Sequence, residues 1–144
     1  MKWIEIPLNG QPLLTDFGGG FLQAGIEATQ AWYQQVGFQP PWVGYIAVEN
    51  ESPRGLCAFK TAPNQGRVEI AYGTVPGCEN QGVATAMARR LLEIAEETDP
   101  DIVVFAQTLP EENASTTILK KLGFVLSGPV EHPEDGTVWE WVHP

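Results

Sequence analysis

The run Val75-Pro76-Gly77-Cys78-Glu79-Asn80-Gln81-Gly82-Val83-Ala84-Thr85 carries residue types suited to holding an anion. Gly82 and Ala84 are small where a helix begins. The free N–H groups of that first turn, and the positive end of the helix dipole, can therefore approach a phosphate closely. A pyrophosphate fits such a turn, but small residues here also serve close packing of a helix on a sheet, so the segment alone leaves both readings open. Glu69 stands in the otherwise apolar stretch Val68-Glu69-Ile70-Ala71-Tyr72, an unusual place for charge unless it faces solvent or pairs with Arg67 or Lys60. Trp42 and Tyr45 are candidate walls of a substrate pocket, whereas Trp32, Trp139 and Trp141 read as core, the usual place for aromatics on strands and amphipathic helices. His132 and His143 fall in the closing hairpin and tail, read as exposed, and form no Ser/His/Asp ordering. Cys57 and Cys78 have neither CxxC nor Cys/His spacing, which speaks against a zinc or other metal site and for unpaired thiols in a reducing compartment.

Elements that would position these residues follow from periodicity. Trp3 to Leu8 reads as a short strand, and Gly18-Gly19-Gly20 as a flexible run outside regular structure. From Phe21 to Val36, Leu22, Ile26, Tyr33 and Val36 share one helical face, and Gly37 stops the helix. Trp42 to Val48 and Gly55 to Thr61 read as strands joined by a turn at Glu51-Ser52-Pro53-Arg54. Arg67 to Val75 is a third strand, and the three form an antiparallel meander. Gln81 to Glu97 places Val83, Ala84, Met87, Leu91 and Ala95 on one helical face. The apolar run Ile102-Val103-Val104-Phe105-Ala106 marks a central strand covered on both faces, parallel to the strand before it. Pro110 to Leu122 reads as a helix with Ala114, Ile118, Leu119 and Leu122 inward. Phe124 to Val130 and Gly136 to Val142 make a closing hairpin.

The bulk properties set limits. With 144 residues, 43% of them hydrophobic, residues 1–144 suit one domain with one core. A formal net charge of −10 repels phosphate backbones and anionic lipid, which argues against nucleic acid and membranes as partners. Acidity of this kind aids solubility and, more weakly, attracts cationic substrates. Neither a signal-type start nor a bilayer-length apolar run is present, so a cytoplasmic protein is expected. A homodimer is the commonest assembly for such a chain, and the sequence leaves the oligomeric state open.

Two segments in order sharpen the reading. Gly73-Thr74-Val75-Pro76 through Gly82-Val83-Ala84-Thr85 resembles the acetyl-CoA segment of the GNAT N-acetyltransferases. Ala106-Gln107-Thr108-Leu109-Pro110-Glu111-Glu112-Asn113-Ala114-Ser115, running to Leu119-Lys120-Lys121-Leu122-Gly123-Phe124, resembles that superfamily's following strand and helix. Asp135-Gly136-Thr137-Val138-Trp139-Glu140-Trp141 resembles its last strand. The branch that looks nearest is that of the ribosomal-protein alanine acetyltransferases, and the similarity runs from about Trp42 to the end.

That resemblance implies an α/β fold: a mixed, mostly antiparallel sheet splayed near its centre and flanked by helices, with acetyl-CoA as cosubstrate entering the splay. It implies that the backbone of Gly73, Thr74 and Val75 pairs with the pantetheine arm. Asn80, Gln81, Gly82, Val83, Ala84 and Thr85 would donate N–H groups to the pyrophosphate. Direct attack by an unidentified amine, a protein N-terminus or a small molecule, needs a base, and Glu69 takes that role directly or through water. Ser115 matches the branch's serine and would donate to the sulfur, although a hydroxyl in a first helical turn more often caps backbone. Leu119 occupies the place where many members carry a Tyr acid. Glu79 replaces the usual Arg or Gln. Glu112 replaces the branch's Asn, with Asn113 one place later as the cofactor-side candidate. Both glutamates add negative charge near an anionic cofactor, which weakens CoA binding unless Glu79 points away. The rival to an enzyme is a catalytically weak CoA-binding or regulatory module of the same fold; a plain interaction domain binding no CoA is the further alternative.

Overall fold

The computed structural model describes residues 1–14 and 19–144. The elements are β1 (Lys2–Glu5), α1 (Gly20–Val36), β2 (Gly44–Glu49), β3 (Ser52–Phe59), β4 (Arg67–Thr74), α2 (Val83–Thr98), β5 (Val103–Thr108), α3 (Ala114–Lys121), β6 (Val125–His132) and β7 (Gly136–His143). One seven-stranded sheet has the order β1-β2-β3-β4-β5-β7-β6. Every pairing is antiparallel except β4 with β5. This is the mixed, mostly antiparallel architecture expected.

Alternation along β3 sorts the helices onto faces. A side chain at Gly55 would strike Met87 of α2, and the neighbouring Leu56 lies against Gly25 of α1. Successive strand residues point to opposite faces, so α1 and α2 cover opposite sides of the sheet. Close approach explains Gly55: a Cβ there would stand 2.8 Å from the Met87 sulfur and 2.8 Å from the Gly73 carbonyl oxygen. On the α2 side, Cys57, Phe59, Val68, Ile70, Met87, Ala88, Leu91 and Ala95 are all buried. Each large apolar side chain withdrawn from water contributes about 1.5–3 kcal/mol, which makes this layer a substantial source of cohesion. Burial pushes the Cys57 thiol up to about 12, and both cysteines are free, as expected.

Several boundaries move for identifiable reasons. Gly18 lies outside the described residues, while Gly20 opens α1 rather than belonging to a flexible run. The β2–β3 turn tightens onto Asn50 and Glu51, both at positive φ (52° and 63°), and Pro53 joins β3 opposite Val48. Positive φ at both central residues is the two-residue hairpin turn whose twist matches the strands. Helix α3 starts at Ala114, not Pro110, because Asn113 caps it. Its buried positions are Thr116 and Leu119, and Ala114 is exposed. β5 is buried on alternate residues only, Val104, Ala106 and Thr108, and the Arg67 guanidinium lies over the Phe105 ring.

Candidate active site

The opening in the sheet arises where parallel pairing stops. β4 and β5 are in register at Arg67 with Val103, Val68 with Val104 and Glu69 with Phe105. Beyond Glu69 the strands part, β4 staying with β3 and β5 with β7. The Lys60 amide donates to the Glu69 carbonyl at 2.9 Å and the Val75 amide to the Arg54 carbonyl at 2.8 Å. In an antiparallel ladder such contacts recur on every second residue. Odd-numbered residues of this stretch therefore turn their peptide groups to β3, and those of Ile70, Tyr72 and Thr74 face the opening. Gly73 and Val75, expected to pair with a pantetheine arm, are thus engaged with β3. Thr74 is the member of that trio whose backbone faces the gap.

A cavity of about 110 Å3 occupies the gap, lined in part by Glu69, Tyr72, Gln107 and Ser115. Glu69 and Tyr72 are three apart on β4, so their side chains leave opposite faces of the strand. Glu69 lies on the α1 face, like its register neighbour Lys60. Its Oε2 is 3.1 Å from Lys60 Nζ, with side-chain exposures of 18% and 40%. That oxygen has no partner in hydrogen-bond geometry, so the contact is an attraction between charges. Arg67, the other partner considered for Glu69, pairs instead with Glu140 at 3.1 Å. Tyr72 lies on the α2 face, its hydroxyl 3.1 Å from Ser115 Oγ. Burial pushes the Tyr72 phenol up. Ser115 therefore contacts a side chain across the opening; the capping task at α3 falls to Asn113.

Two helix N-termini flank this side. At α3, Asn113 Oδ1 accepts the Thr116 amide at 3.0 Å and Thr116 Oγ1 accepts the Asn113 amide at 2.9 Å, a closed capping box. The Asn113 side chain, a cofactor-side candidate on sequence, is used in that box. At α2, Gly82 at φ 78° precedes the helix and no side chain caps it, so the first-turn amides of Val83, Ala84 and Thr85 have no side-chain acceptor. Gly77 (φ 94°) and Asn80 (φ 61°) curl the preceding loop, and Gln81 links it to Gly82. Glu79 does not project into this cradle: its carboxylate folds back to accept the Gly77 amide at 2.9 and 3.2 Å. Glu112 is neutralised by Lys120, whose Nζ lies 2.9 and 3.0 Å from its two oxygens; that hydrogen bond holds the carboxyl below its usual range.

A larger cleft of about 570 Å3 lies between α1, the end of β3 and the tip of the β6–β7 hairpin. Trp32, Tyr33, Lys60, His132, Glu134 and Asp135 are among its walls. Lys60 lines both cavities, and Glu69, its ion-pair partner, lines the gap. The aromatic walls are Trp32, 43% exposed, Tyr33 and Phe59, not Trp42 and Tyr45. Trp42 stands edge-on to Phe59 with ring centroids 5.0 Å apart, and Tyr45 is buried with its hydroxyl donated to the Pro41 carbonyl. Tyr33 adds only its ring, since its hydroxyl bridges the Ile6 carbonyl and the Gly44 amide and burial pushes it up to about 12. His132, expected to be exposed and far from the site, is half-buried and lines the cleft. Its Nδ1 accepts the amides of Glu134 and Asp135 at 3.1 Å each, which places the neutral ring's proton on Nε2. His143 packs on Phe124.

The sequence does not single out Lys60, Tyr72, Trp32 and His132, which line the two cavities, as candidate site residues. For Tyr72 a signal existed: three residues after Glu69 on one strand is the opposite face of the same opening. For His132 there was none, since only the sheet order brings the β6–β7 tip beside α1.

Comparison with known proteins agrees with this geometry. Residues 5–125 match the family described as the acetyltransferase (GNAT) domain. The chain therefore belongs to the GNAT family of acetyl-CoA-dependent N-acetyltransferases, the class its splayed sheet and uncapped α2 suggest. Among curated proteins no match to the sequence was found. RimL, a ribosomal L7/L12 alpha-N-protein acetyltransferase in complex with coenzyme A, is similar in structure, with 14% identity, 85% of this chain and 70% of that chain covered, and a TM-score of 0.65. A spermidine N-acetyltransferase variant, SpeG from Vibrio cholerae, gives 15%, 81%, 73% and 0.64 in the same order. The aminoglycoside acetyltransferase AAC(6')-Ib with coenzyme A and kanamycin gives 22%, 69%, 64% and 0.60.

Proposed function

We propose that this domain transfers the acetyl group of acetyl-CoA directly to an amine, a small molecule or a protein N-terminus, entering from the α1 side of the sheet. The observation that carries the reading is the β4–β5 gap, with Glu69 on one face and the Tyr72–Ser115 pair on the other. The pantetheine arm would run along the gap-facing peptide groups of β4, and the pyrophosphate would sit on the uncapped α2 terminus. Proteins of similar structure are named for acetylating protein alpha-amines, aminoglycosides and spermidine, which supports an amine acceptor.

The acceptor nitrogen must be neutral to attack. Glu69, with Lys60 Nζ 3.1 Å from its Oε2, takes the proton that the nitrogen sheds, directly or through one water. The cleft lies within the size range of small-molecule sites, and Glu134 and Asp135 at its mouth attract an ammonium before it loses its proton.

The test is thiol release from acetyl-CoA across a panel of amines. Acceptor-dependent release that falls about 100-fold or more in Glu69→Gln, with acetyl-CoA binding retained, supports the reading, since positioned acid–base groups supply about 10²–10⁴ in rate. If acetyl-CoA raises the melting temperature but no amine is acetylated, the domain is a CoA-binding module.

A further inference from the structure

We infer that Tyr72 positions the Ser115 hydroxyl as proton donor to the departing CoA sulfur, a task with no side-chain hydroxyl at Leu119 to perform it. The inference rests on the acetyl-transfer reading and adds a residue to it. Leu119 is fully buried in the core. Among the described residues, Tyr72 and Ser115 are the two hydroxyl-bearing ones lining the gap, and they touch each other at 3.1 Å. They sit on the α2 face, the side of the uncapped helix terminus, whereas Glu69 sits on the α1 face. Proton acceptance and proton donation are thus assigned to opposite sides of one opening.

Direction follows from chemistry. The 3.1 Å contact admits either hydroxyl as donor, and Tyr72, the stronger acid and, with its lone pairs drawn into the ring, the poorer acceptor, is assigned as donor to Ser115 Oγ. Ser115's own hydrogen is then turned away from the ring and toward the gap. In the reaction the amine nitrogen bonds to the thioester carbon and the carbonyl pair moves to oxygen. Collapse restores the C=O bond and breaks C–S, leaving the pair on sulfur. The sulfur takes the Ser115 proton, Ser115 takes the Tyr72 proton, and the proton Glu69 removed from nitrogen returns to Tyr72 through solvent. One proton leaves the amine and one arrives on CoA.

Steady-state kinetics of wild type, Tyr72→Phe, Ser115→Ala and the double variant test this, with melting temperature measured alongside. Tyr72→Phe should lower kcat about 10- to 100-fold, leave the KM for acetyl-CoA within about twofold, and melt as a folded protein. Groups acting as one unit are not additive, so the double variant should be no slower than Ser115→Ala alone. A Tyr72→Phe enzyme with full kcat, a loss confined to KM, or losses that multiply in the double variant would overturn the assignment while leaving acetyl transfer intact. A wild-type protein that releases no thiol with any amine would overturn both. Should Tyr72→Phe prove unstable, Ser115→Ala approaches the pair from α3 and must show the same split between kcat and KM.

Discussion

The N-termini of α2 and α3 flank the same opening and are finished in opposite ways. α3 satisfies its own first turn with the Asn113–Thr116 box, and its nearest carboxylate, Glu112, is held by Lys120. α2 begins at a left-handed glycine with no side-chain acceptor, and Glu79 is drawn back to Gly77. A capped terminus is complete by itself; an uncapped one of 16 residues is a standing site for an anion. The contrast teaches that a terminus left open to an anion is marked by what its sequence leaves out, a Ser, Thr, Asn or Asp at the N-cap, as much as by the small residues it contains.

The sharpest way to break this comparison is Gly82→Val. A β-branched residue at φ 78° costs about 1–3 kcal/mol of strain. The free loop escapes that strain by leaving the left-handed turn, and binding must restore it, so the Kd for acetyl-CoA should weaken roughly five- to hundredfold. Wild type should gain about 2.7 kcal/mol of stability at a hundredfold excess over Kd, and at the same ligand concentration the variant should lose about 0.9 to 2.3 kcal/mol of that gain, with a correspondingly smaller thermal shift. An unchanged shift would show that α2 does not hold the cofactor. Asn113→Ala is the complementary cut: about 1 kcal/mol of folding stability should go with the cap, seen in urea melts, while the Kd for acetyl-CoA stays the same. A large change in that Kd would return Asn113 to the cofactor site. The smallest effect belongs to Glu112→Gln. A carboxyl whose folded pKa lies below its unfolded value lends stability above the unfolded value and loses it as pH falls through the folded one. The acid limb of the melting curve below about pH 4.5 should flatten slightly in the variant, and no more, because the group is fully exposed.

Much of this was legible along the chain because helix faces and strand alternation are local. Leu22, Ile26 and Tyr33 on α1, and Val83, Met87, Leu91 and Ala95 on α2, are buried where periodicity puts them. The parallel placement of β5 followed from the helix before it. What failed was of two kinds. The start of α3 was misplaced because Pro and acidic residues at 110–112 mimic a first helical turn, whereas the reciprocal Asn113–Thr116 bonds end the choice one turn later. The cleft's aromatic lining was not legible because an aromatic's surroundings depend on what packs against it in three dimensions: Trp42 stands on Phe59, whereas Trp32 donates its indole N–H to the Lys60 carbonyl at the cleft.

The sequence by itself determined the family, the sheet that must splay and the glycine-led helix start, because these rest on residues adjacent in the chain. Only the tertiary structure decided which hydroxyl meets Ser115, that Lys60 rather than Arg67 stands beside Glu69, and that His132 reaches the cleft. Each of these depends on strand register or sheet order across about 9 to 100 residues, and a one-residue slip in register would turn every such side chain to the other face.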